Sequence, residues 1–318
     1  MAFKQGQDPA KQLLNLAIAA GDETTVTPQE QLPQRTEEDQ RFLSEAYKQF
    51  VAQHKSPTDE LLEVMAGLKQ LDADNEDLPA LLEVVSEMCE NIDVAGDLFK
   101  SGNFPVIEKL LGSENRAEVR ANSAWVLGSC AQNNPFCQEK LLEAKMLPVF
   151  IEMIADADTA VAAKALFALS CLIRENEKCL KKFIVVNGFD ALASHCLGSE
   201  QTKLHMKAVF LMRALCASQS SCHMYLSKAS VVNQLCELLC VTVADESLID
   251  QLLQLILMLA TRAKNVVELL AVGLPVDVLQ RCKNNCEKMD WPLVHRNADF
   301  LLHLISKKSA NDNSEVDR

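Results

Sequence analysis

Hydrophobic and polar positions along this chain repeat with a period of 42 to 44 residues. A block of small and apolar positions begins at Val119 and returns at Val161, Leu204 and Leu248. Within each block the apolar residues recur at helical spacing, which predicts a helix that buries one stripe. Self-similarity at such a period is typical of helical repeat arrays, in which each unit buries its apolar face against the next.

The segments between these blocks repeat as well. Cys137, Cys179 and Cys222 lie 42 and 43 residues apart, and each begins a short amphipathic stretch. A medium stretch follows, and residues 104–111 match residues 147–154 after a shift of 43. Each period therefore holds a short, a medium and a long helix. The sequence predicts an all-α, armadillo-like right-handed helical solenoid of about four repeats with helical caps.

The same pattern predicts the domain organisation. Ser56, followed three residues later by Asp59, indicates a capped helix start ahead of the repeats. Asn187-Gly188 imitates a hairpin turn, but in the repeat register it connects a short helix to a medium one. The predicted segments are a largely disordered tail at 1–35 with a short amphipathic helix at 9–20, N-terminal capping helices at 36–73, armadillo repeats at 74–262, C-terminal capping helices at 263–308 and a disordered tail at 309–318.

Composition narrows the function classes. The formal net charge of −13 argues against a nucleic-acid partner, because binding phosphates needs clustered lysine and arginine. The same charge disfavours an anionic membrane surface. The first residues contain no apolar segment of the secretory type, so we expect a cytosolic protein, with the nucleus as a second compartment.

The twelve cysteines are expected to be reduced core thiols, because disulfides are rare in the cytosol. The pairs Cys236 with Cys240 and Cys282 with Cys286 are each four residues apart, a spacing more typical of helix packing than of zinc binding.

The sequence contains no catalytic constellation. It has no glycine-rich phosphate loop, no nucleophile elbow and no His-Glu-x-x-His pair. His295, Asp299 and His303 share one helical face, and a polar surface is the preferred interpretation over a metal site. We therefore predict no enzyme activity, no cofactor and no metal.

One aromatic residue recurs at the same place in three predicted long helices: Trp125, Phe167 and Phe210. An aromatic residue at helical spacing usually belongs to the core. In armadillo arrays, however, the long helix lines the concave face, and this column points into the groove. Both interpretations remain open from the sequence.

The predicted long helices are rich in cations for so acidic a chain. Lys164 lies three residues before Phe167, and Lys207 lies three before Phe210, so these lysines share the aromatic face. They are either solvated lysines or part of a groove for an acidic protein partner. The cations are Arg120, Lys164, Arg174, Lys203, Lys207 and Arg213. The predicted partner-binding residues are Asn122, Trp125, Lys164, Phe167, Arg174, Lys203, Lys207 and Phe210.

Residues 75–262 resemble the armadillo-type nucleotide-exchange factors of the seventy-kilodalton heat-shock chaperone. The segments that carry the resemblance are 82–93, 128–133, 164–175, 187–189 and 203–211, and the likeness weakens after residue 262. It implies that the concave face binds one lobe of the chaperone's ATPase domain and promotes ADP release. We expect a monomer, because solenoids of this size are commonly monomeric. The family's N-terminal tail helps to displace client, and the residues that match it here are Leu13, Leu14, Leu16 and Ile18.

The alternative is an armadillo adaptor that binds an extended peptide or scaffolds other proteins. Peptide-binding arrays pair tryptophan with an asparagine four residues later. In this chain the fourth residue after each aromatic is Ser129, Cys171 or Ala214, so the asparagines are missing.

Overall fold

The computed structural model describes Arg41 and residues 55–242, 245–289 and 292–316. The tail residues Leu13, Leu14, Leu16 and Ile18 lie outside the described residues. The chain forms two compact units, Met1–Glu63 and Val64–Arg318. In the first unit, Ser56 and Asp59 cap a helix as predicted: the Asp59 N–H donates to Ser56 Oγ at 3.1 Å, and Ser56 Oγ donates to Asp59 Oδ2 at 2.7 Å.

The described part of the chain is helical and contains no strand. The helices recur in groups of three that end in a long helix, as the repeat predicts. The predicted order of a short before a medium helix does not hold in the first two groups, where the first helix has nine residues and the second has six or eight. In chain order the helices are α1 (Pro57–Leu68), α2 (Leu78–Met88), α3 (Ile92–Lys100), α4 (Phe104–Lys109), α5 (Ala117–Ala131), α6 (Pro135–Glu143), α7 (Met146–Met153), α8 (Thr159–Ile173), α9 (Glu177–Val185), α10 (Gly188–Leu192) with a π-helical turn at Ala193–Leu197, α11 (Thr202–Ser218), α12 (Cys222–Leu226), α13 (Ala229–Val241), α14 (Glu246–Arg262), α15 (Lys264–Gly273), α16 (Val276–Met289) and α17 (Pro292–Val316).

The long helices form one layer of the second unit. Helix α5 packs along α2 and α8, and α11 packs along α8 and α14. Ala124, Ala165 and Ala208 have no exposed surface in this layer. Their methyl groups allow neighbouring helices to approach closely, and these three positions are the small residues that recur in the repeat. The armadillo-like fold predicted from the sequence is therefore present.

Asparagine side chains begin three of the short helices. Asn91, Asn134 and Asn176 each accept a hydrogen bond from a backbone N–H two or three residues later, at 3.0 to 3.3 Å. The second and third of these bonds come from Cys137 and Cys179, the cysteines that repeat in the sequence. Each cap satisfies a backbone donor that the helix itself cannot satisfy.

The connection from a short to a medium helix uses the left-handed backbone region. Gly102, Lys145 and Asn187 occupy this turn in three successive repeats, with φ of 71°, 59° and 56°. Asn187 follows the end of α9, and α10 begins at Gly188, so the predicted helix connection is confirmed. A glycine adopts this conformation without the Cβ crowding that other residues incur.

Lys145 gives a direct test of that crowding. Its side chain is exposed, so Lys145→Ala and Lys145→Gly both remove it without opening the core. We expect the glycine variant to be more stable than the alanine variant by about 1 kcal/mol, because only glycine relieves the left-handed backbone. Thermal unfolding should show a difference of about 3 °C in Tm. Equal Tm values would mean that this turn carries no backbone strain.

The C-terminal helices continue the repeat beyond the predicted boundary at residue 262. Helices α15 and α16 take the short and medium places, and α17 packs against α14 and α16. Helix α17 extends to Val316, whereas a disordered tail is predicted at 309–318. No glycine or proline interrupts residues 309–316, so nothing in the local sequence ends the helix earlier. Among the described residues, no helix combines the length and the apolar character needed to span a bilayer.

The cysteines behave as core residues. Ten of them, from Cys89 to Cys240, are free thiols, and eight of these ten are buried. Burial raises the pKa of Cys137 and of Cys196 to about 12. Thiols with such pKa values are protonated and unreactive at neutral pH.

Candidate protein-binding groove

A groove of about 870 Å³ lies on the face of the long helices. Its walls come from α8, α11 and α14, and the residues that follow α5 close one side. Its lining combines aromatic, cationic and amide side chains with one carboxylate, Glu175, which suits a protein surface better than a small apolar ligand. We call this the central groove, and its principal residues are Asn133, Phe167, Arg174, Met206, Lys207, Phe210 and Gln251.

Phe167 is positioned by a glycine on the neighbouring helix. A Cβ atom at Gly128 would lie 2.6 Å from Cδ1 of Phe167 and 3.0 Å from the backbone of Ala168. Only a residue without a side chain lets the half-buried ring lie against α5 in this way. This contact was missed at the sequence level, although Gly128 lies within the repeated block.

Phe210 is the most exposed aromatic of the recurring column, with 45% of its surface accessible. The Arg213 guanidinium lies 5.8 Å from its ring centre and donates a hydrogen bond to Gln254 Oε1 at 3.2 Å. Gln254 occupies the place of Phe210 in the next repeat, so the aromatic column ends there. Of the two interpretations of this column, the structure places Phe167 and Phe210 in the groove.

Trp125 is half-buried, and a lysine from the next helix covers it. The Lys164 ammonium lies 3.0 Å from the indole ring centre, as in a cation–π interaction. Burial lowers the pKa of Lys164 and the positive charge of Lys207 lowers it further, while the carboxylate of Glu83 on α2 opposes part of the shift. Lys164 is therefore a partly desolvated cation beside a like charge.

Four of the predicted partner-binding residues do not line the groove: Asn122, Trp125, Lys164 and Lys203. Asn122 is only 5% exposed, and its Nδ2 donates to the Pro79 carbonyl at 3.0 Å, which joins α5 to α2. Asn122 therefore uses its polar group inside the helix layer, and its contact with a partner stays a prediction. Lys203 is exposed but does not line the groove. Met206 and Gln251 do line it and were missed.

Another cation on the long helices is neutralised within the chain. The Arg120 guanidinium forms an ion pair with Asp156, and both side chains are largely buried. Burial acts to raise the pKa of Asp156, but the hydrogen bonds from Arg120 and the Asp158 N–H outweigh it and lower the pKa. Arg120 is thus a structural residue that links α5 to the loop before α8.

The polar face of α17 offers little to a metal. Asp299 accepts a hydrogen bond from Lys283 Nζ at 2.6 Å, which lowers the pKa of this carboxyl group. In the described part of the chain, no three His, Cys, Asp or Glu side chains are arranged to hold a metal ion.

The fold and the groove define the class of the molecule as an armadillo-like helical repeat protein. An engineered protein from a structural genomics programme shares the fold with a TM-score of 0.61 at 17% identity, over 78% of this chain and 97% of that one. A designed armadillo repeat protein, YIII(Dq)4CqI, has a TM-score of 0.58 at 20% identity, over 77% and 99% of the two chains.

Two family models match successive parts of the sequence. The model of the nucleotide exchange factor Fes1 matches residues 10–98, and the model of the SIL1/FES1/HPBP1 C-terminal domain matches residues 94–236. Together the two models extend over residues 10–236, so most of the chain is similar to the SIL1/FES1/HPBP1 proteins.

Individual relatives agree with the family models. Hsp70-binding protein 1 of Macaca fascicularis is 31% identical over 234 residues, which cover 70% of this chain and 63% of the relative. The Homo sapiens protein of the same name is 32% identical over 214 residues, covering 64% and 58%. The Hsp70 nucleotide exchange factor FES1 of Coccidioides immitis is 27% identical over 163 residues, covering 50% and 76%. The chain thus spans somewhat less than two thirds of the Hsp70-binding relatives.

Proposed function

We propose that this protein is a nucleotide-exchange factor that binds the ATPase domain of the chaperone Hsp70 through the central groove and promotes ADP release. The observation that carries the proposal is the pair of family matches, which together extend over residues 10–236 and include α8 and α11, two of the three helices that wall the groove. The names of the relatives, Hsp70-binding protein 1 and Hsp70 nucleotide exchange factor, point in the same direction.

The proposed mechanism needs binding energy and no chemical step in this chain. The groove would hold one lobe of the ATPase domain in the orientation that opens the nucleotide site. Such a factor acts by binding the open state more tightly than the closed state. A thousandfold shift of that equilibrium requires a difference of about 4 kcal/mol in binding free energy. A few buried aromatic and charged contacts supply energies of this size. We therefore propose a co-chaperone that is not an enzyme.

The first test is the release of a fluorescent ADP analogue from purified Hsp70 in a stopped-flow instrument, with increasing amounts of this protein. We expect a large acceleration that saturates with concentration, because release then follows the fraction of chaperone bound. No acceleration, from a protein whose circular dichroism is fully helical, would reject the exchange activity. The adaptor hypothesis would then be preferred.

The N-terminal tail is a separate part of the proposal. We expect deletion of residues 1–35 to leave ADP release unchanged but to slow the release of a fluorescent peptide client, because the tail carries the apolar segment with Leu13, Leu14, Leu16 and Ile18. Fluorescence anisotropy of the client measures this directly. A variant with these four residues changed to serine keeps the length of the tail but removes its apolar segment. Normal client kinetics in both variants would reject a role for the tail.

We also propose that the protein is a monomer and that it acts in the cytosol. Free, buried cysteines with raised pKa values are suited to a reducing compartment. Analytical ultracentrifugation and imaging of the tagged full-length protein test the two points.

A further inference from the structure

Two lysines on neighbouring long helices have no salt-bridge partner among the described residues: Lys207 lines the central groove, and Lys164 lies on α8 outside that lining. Lys164 and Lys207 occupy matching positions on α8 and α11, three residues before Phe167 and Phe210. In the ranges that the structure describes, no aspartate or glutamate lies within salt-bridge distance of either ammonium group. Arg120, by contrast, is paired with Asp156. The positive charge of Lys207 lowers the pKa of the half-buried Lys164, and the carboxylate of Glu83 on α2 opposes it with a smaller effect. A further anion between the two lysines would therefore stabilise their charges.

Lys164 contacts an aromatic ring, and an anion could replace that ring as its partner. Its ammonium group lies on the indole face of Trp125, 3.0 Å from the ring centre. An aromatic face attracts a cation less strongly than a hydrogen-bonded carboxylate does. A carboxylate placed between the two lysines would therefore draw Lys164 away from Trp125 and offset the repulsion from Lys207. The same movement would uncover the indole ring.

The surroundings of the lysine pair indicate what else the occupant carries. Beside Lys207 the groove is lined by Phe167, Phe210 and Met206, which suit an apolar side chain. A protein segment supplies both a carboxylate and an apolar side chain, whereas a free anion supplies only the first.

We propose that Lys164 and Lys207 form a receptor for one carboxylate of the partner protein, an aspartate or glutamate next to a bulky apolar residue, and that Lys164 leaves Trp125 to engage it. The inference rests on the proposed function, in which the partner is the Hsp70 ATPase domain. The net charge of −13 strengthens the case for a local site. An acidic partner is repelled by the chain as a whole, so attraction arises only where the groove presents unpaired cations.

The test compares two charge reversals on one helix in the full-length protein. Lys207→Glu removes a groove cation, and Lys203→Glu makes the same change one turn earlier, at an exposed lysine outside the groove lining. We expect Lys207→Glu to weaken binding of the purified ATPase domain at least about tenfold, mainly through faster dissociation. Lys203→Glu should weaken it less than about threefold, because exposed charges are screened by salt. Surface plasmon resonance gives both rates, and circular dichroism confirms that each variant is folded.

A second experiment identifies the carboxylate. Each exposed aspartate or glutamate of the ATPase domain is changed to lysine and measured against the wild-type chain and against Lys207→Glu. We expect one such change to raise the affinity of Lys207→Glu for the ATPase domain at least about fivefold, since opposite charges then face each other again. A complete scan without any compensating pair would overturn the receptor.

A third readout concerns Lys164. The chain contains two tryptophans, so incorporation of 5-fluorotryptophan gives two ¹⁹F resonances, which Trp291→Phe assigns. Saturation with unlabelled ATPase domain is expected to shift the Trp125 resonance as Lys164 leaves the indole. An unchanged resonance at saturation would show that Lys164 stays in place and would overturn that step.

The remaining outcomes separate the receptor from the proposed function. Equal losses of affinity in Lys207→Glu and Lys203→Glu would overturn the receptor, because they would indicate a general electrostatic attraction and no local site. Unchanged affinity in Lys207→Glu, with normal acceleration of ADP release, would overturn the receptor and leave the exchange activity intact. If the wild-type chain neither binds the ATPase domain nor accelerates ADP release, the proposed function itself fails, and the receptor with it.

Discussion

Replacing Phe210 with alanine is expected to weaken binding of the Hsp70 ATPase domain about thirtyfold, or about 2 kcal/mol, the loss typical of an aromatic hot spot. In the free protein Phe210 is 45% exposed, so its removal opens little space in the core. In the complex the ring would be covered, and the apolar surface that it buries would be lost. The Arg213 guanidinium would also lose the ring that it lies against. Titration calorimetry measures the affinity, and stopped-flow ADP release should need about thirtyfold more protein for half-maximal acceleration.

Phe136 provides the matched control. It is 41% exposed and, like Phe210, lies near cations, with Lys100 and Lys140 at 5.7 and 6.0 Å from its ring centre. It belongs to the short helix α6, however, and does not line the central groove. Phe136→Ala should change the affinity by no more than about twofold, as surface substitutions outside an interface usually do. Similar losses in both variants would contradict the placement of the binding surface on the long helices.

Replacing Gly188 with alanine is expected to destabilise the repeat array by about 3 kcal/mol, at the upper end of the usual cost of overpacking. A Cβ atom at this position would overlap the ring of Phe183. Phe183 has no exposed surface and packs edge-to-face on Phe189, with ring centres 5.2 Å apart, so it has little room to move. Urea denaturation followed by circular dichroism measures the loss as a lower midpoint.

Two further variants separate this clash from a general effect of alanine. Gly67→Ala introduces the same methyl group in α1, where no atom lies within 4 Å, and should be neutral or stabilising by up to about 1 kcal/mol, as in any exposed helix. Phe183→Leu makes room beside position 188, so the double variant should lose less than the sum of the single losses. Strict additivity would show that Gly188 and Phe183 do not compete for space.

Much of the fold could be predicted from local sequence. The recurring block that begins at Val119 fixed the long helices, and the cysteines at 137 and 179 marked the third residue of two short ones. Asn187-Gly188 was correctly assigned to a helix connection because the repeat register outweighed its hairpin-like composition. These predictions succeeded because helix periodicity, caps and turns depend on residues close together in the chain.

The site was only partly predictable. The aromatic column and the lysine pair followed from the repeat, but Asn122 belonged to the same face and is nonetheless buried against α2. Gly128 and Gln251 carry no signal of their own. Gly128 matters because Phe167 from the next helix lies on it, and Gln251 because its helix is the third wall of the groove.

The sequence by itself thus determined the helices, their order and the repeat that stacks them, since a helix that buries one stripe can be recognised from its own residues. Only the tertiary structure decided which polar groups form bonds inside the array and which remain available to a partner. Asn122 and Arg120 bond to neighbouring elements, whereas Lys164 lies on Trp125 and Lys207 has no carboxylate within salt-bridge distance among the described residues. The physical reason is that a side chain's partners belong to residues about one repeat away in sequence, and packing of the helices alone brings them within bonding distance.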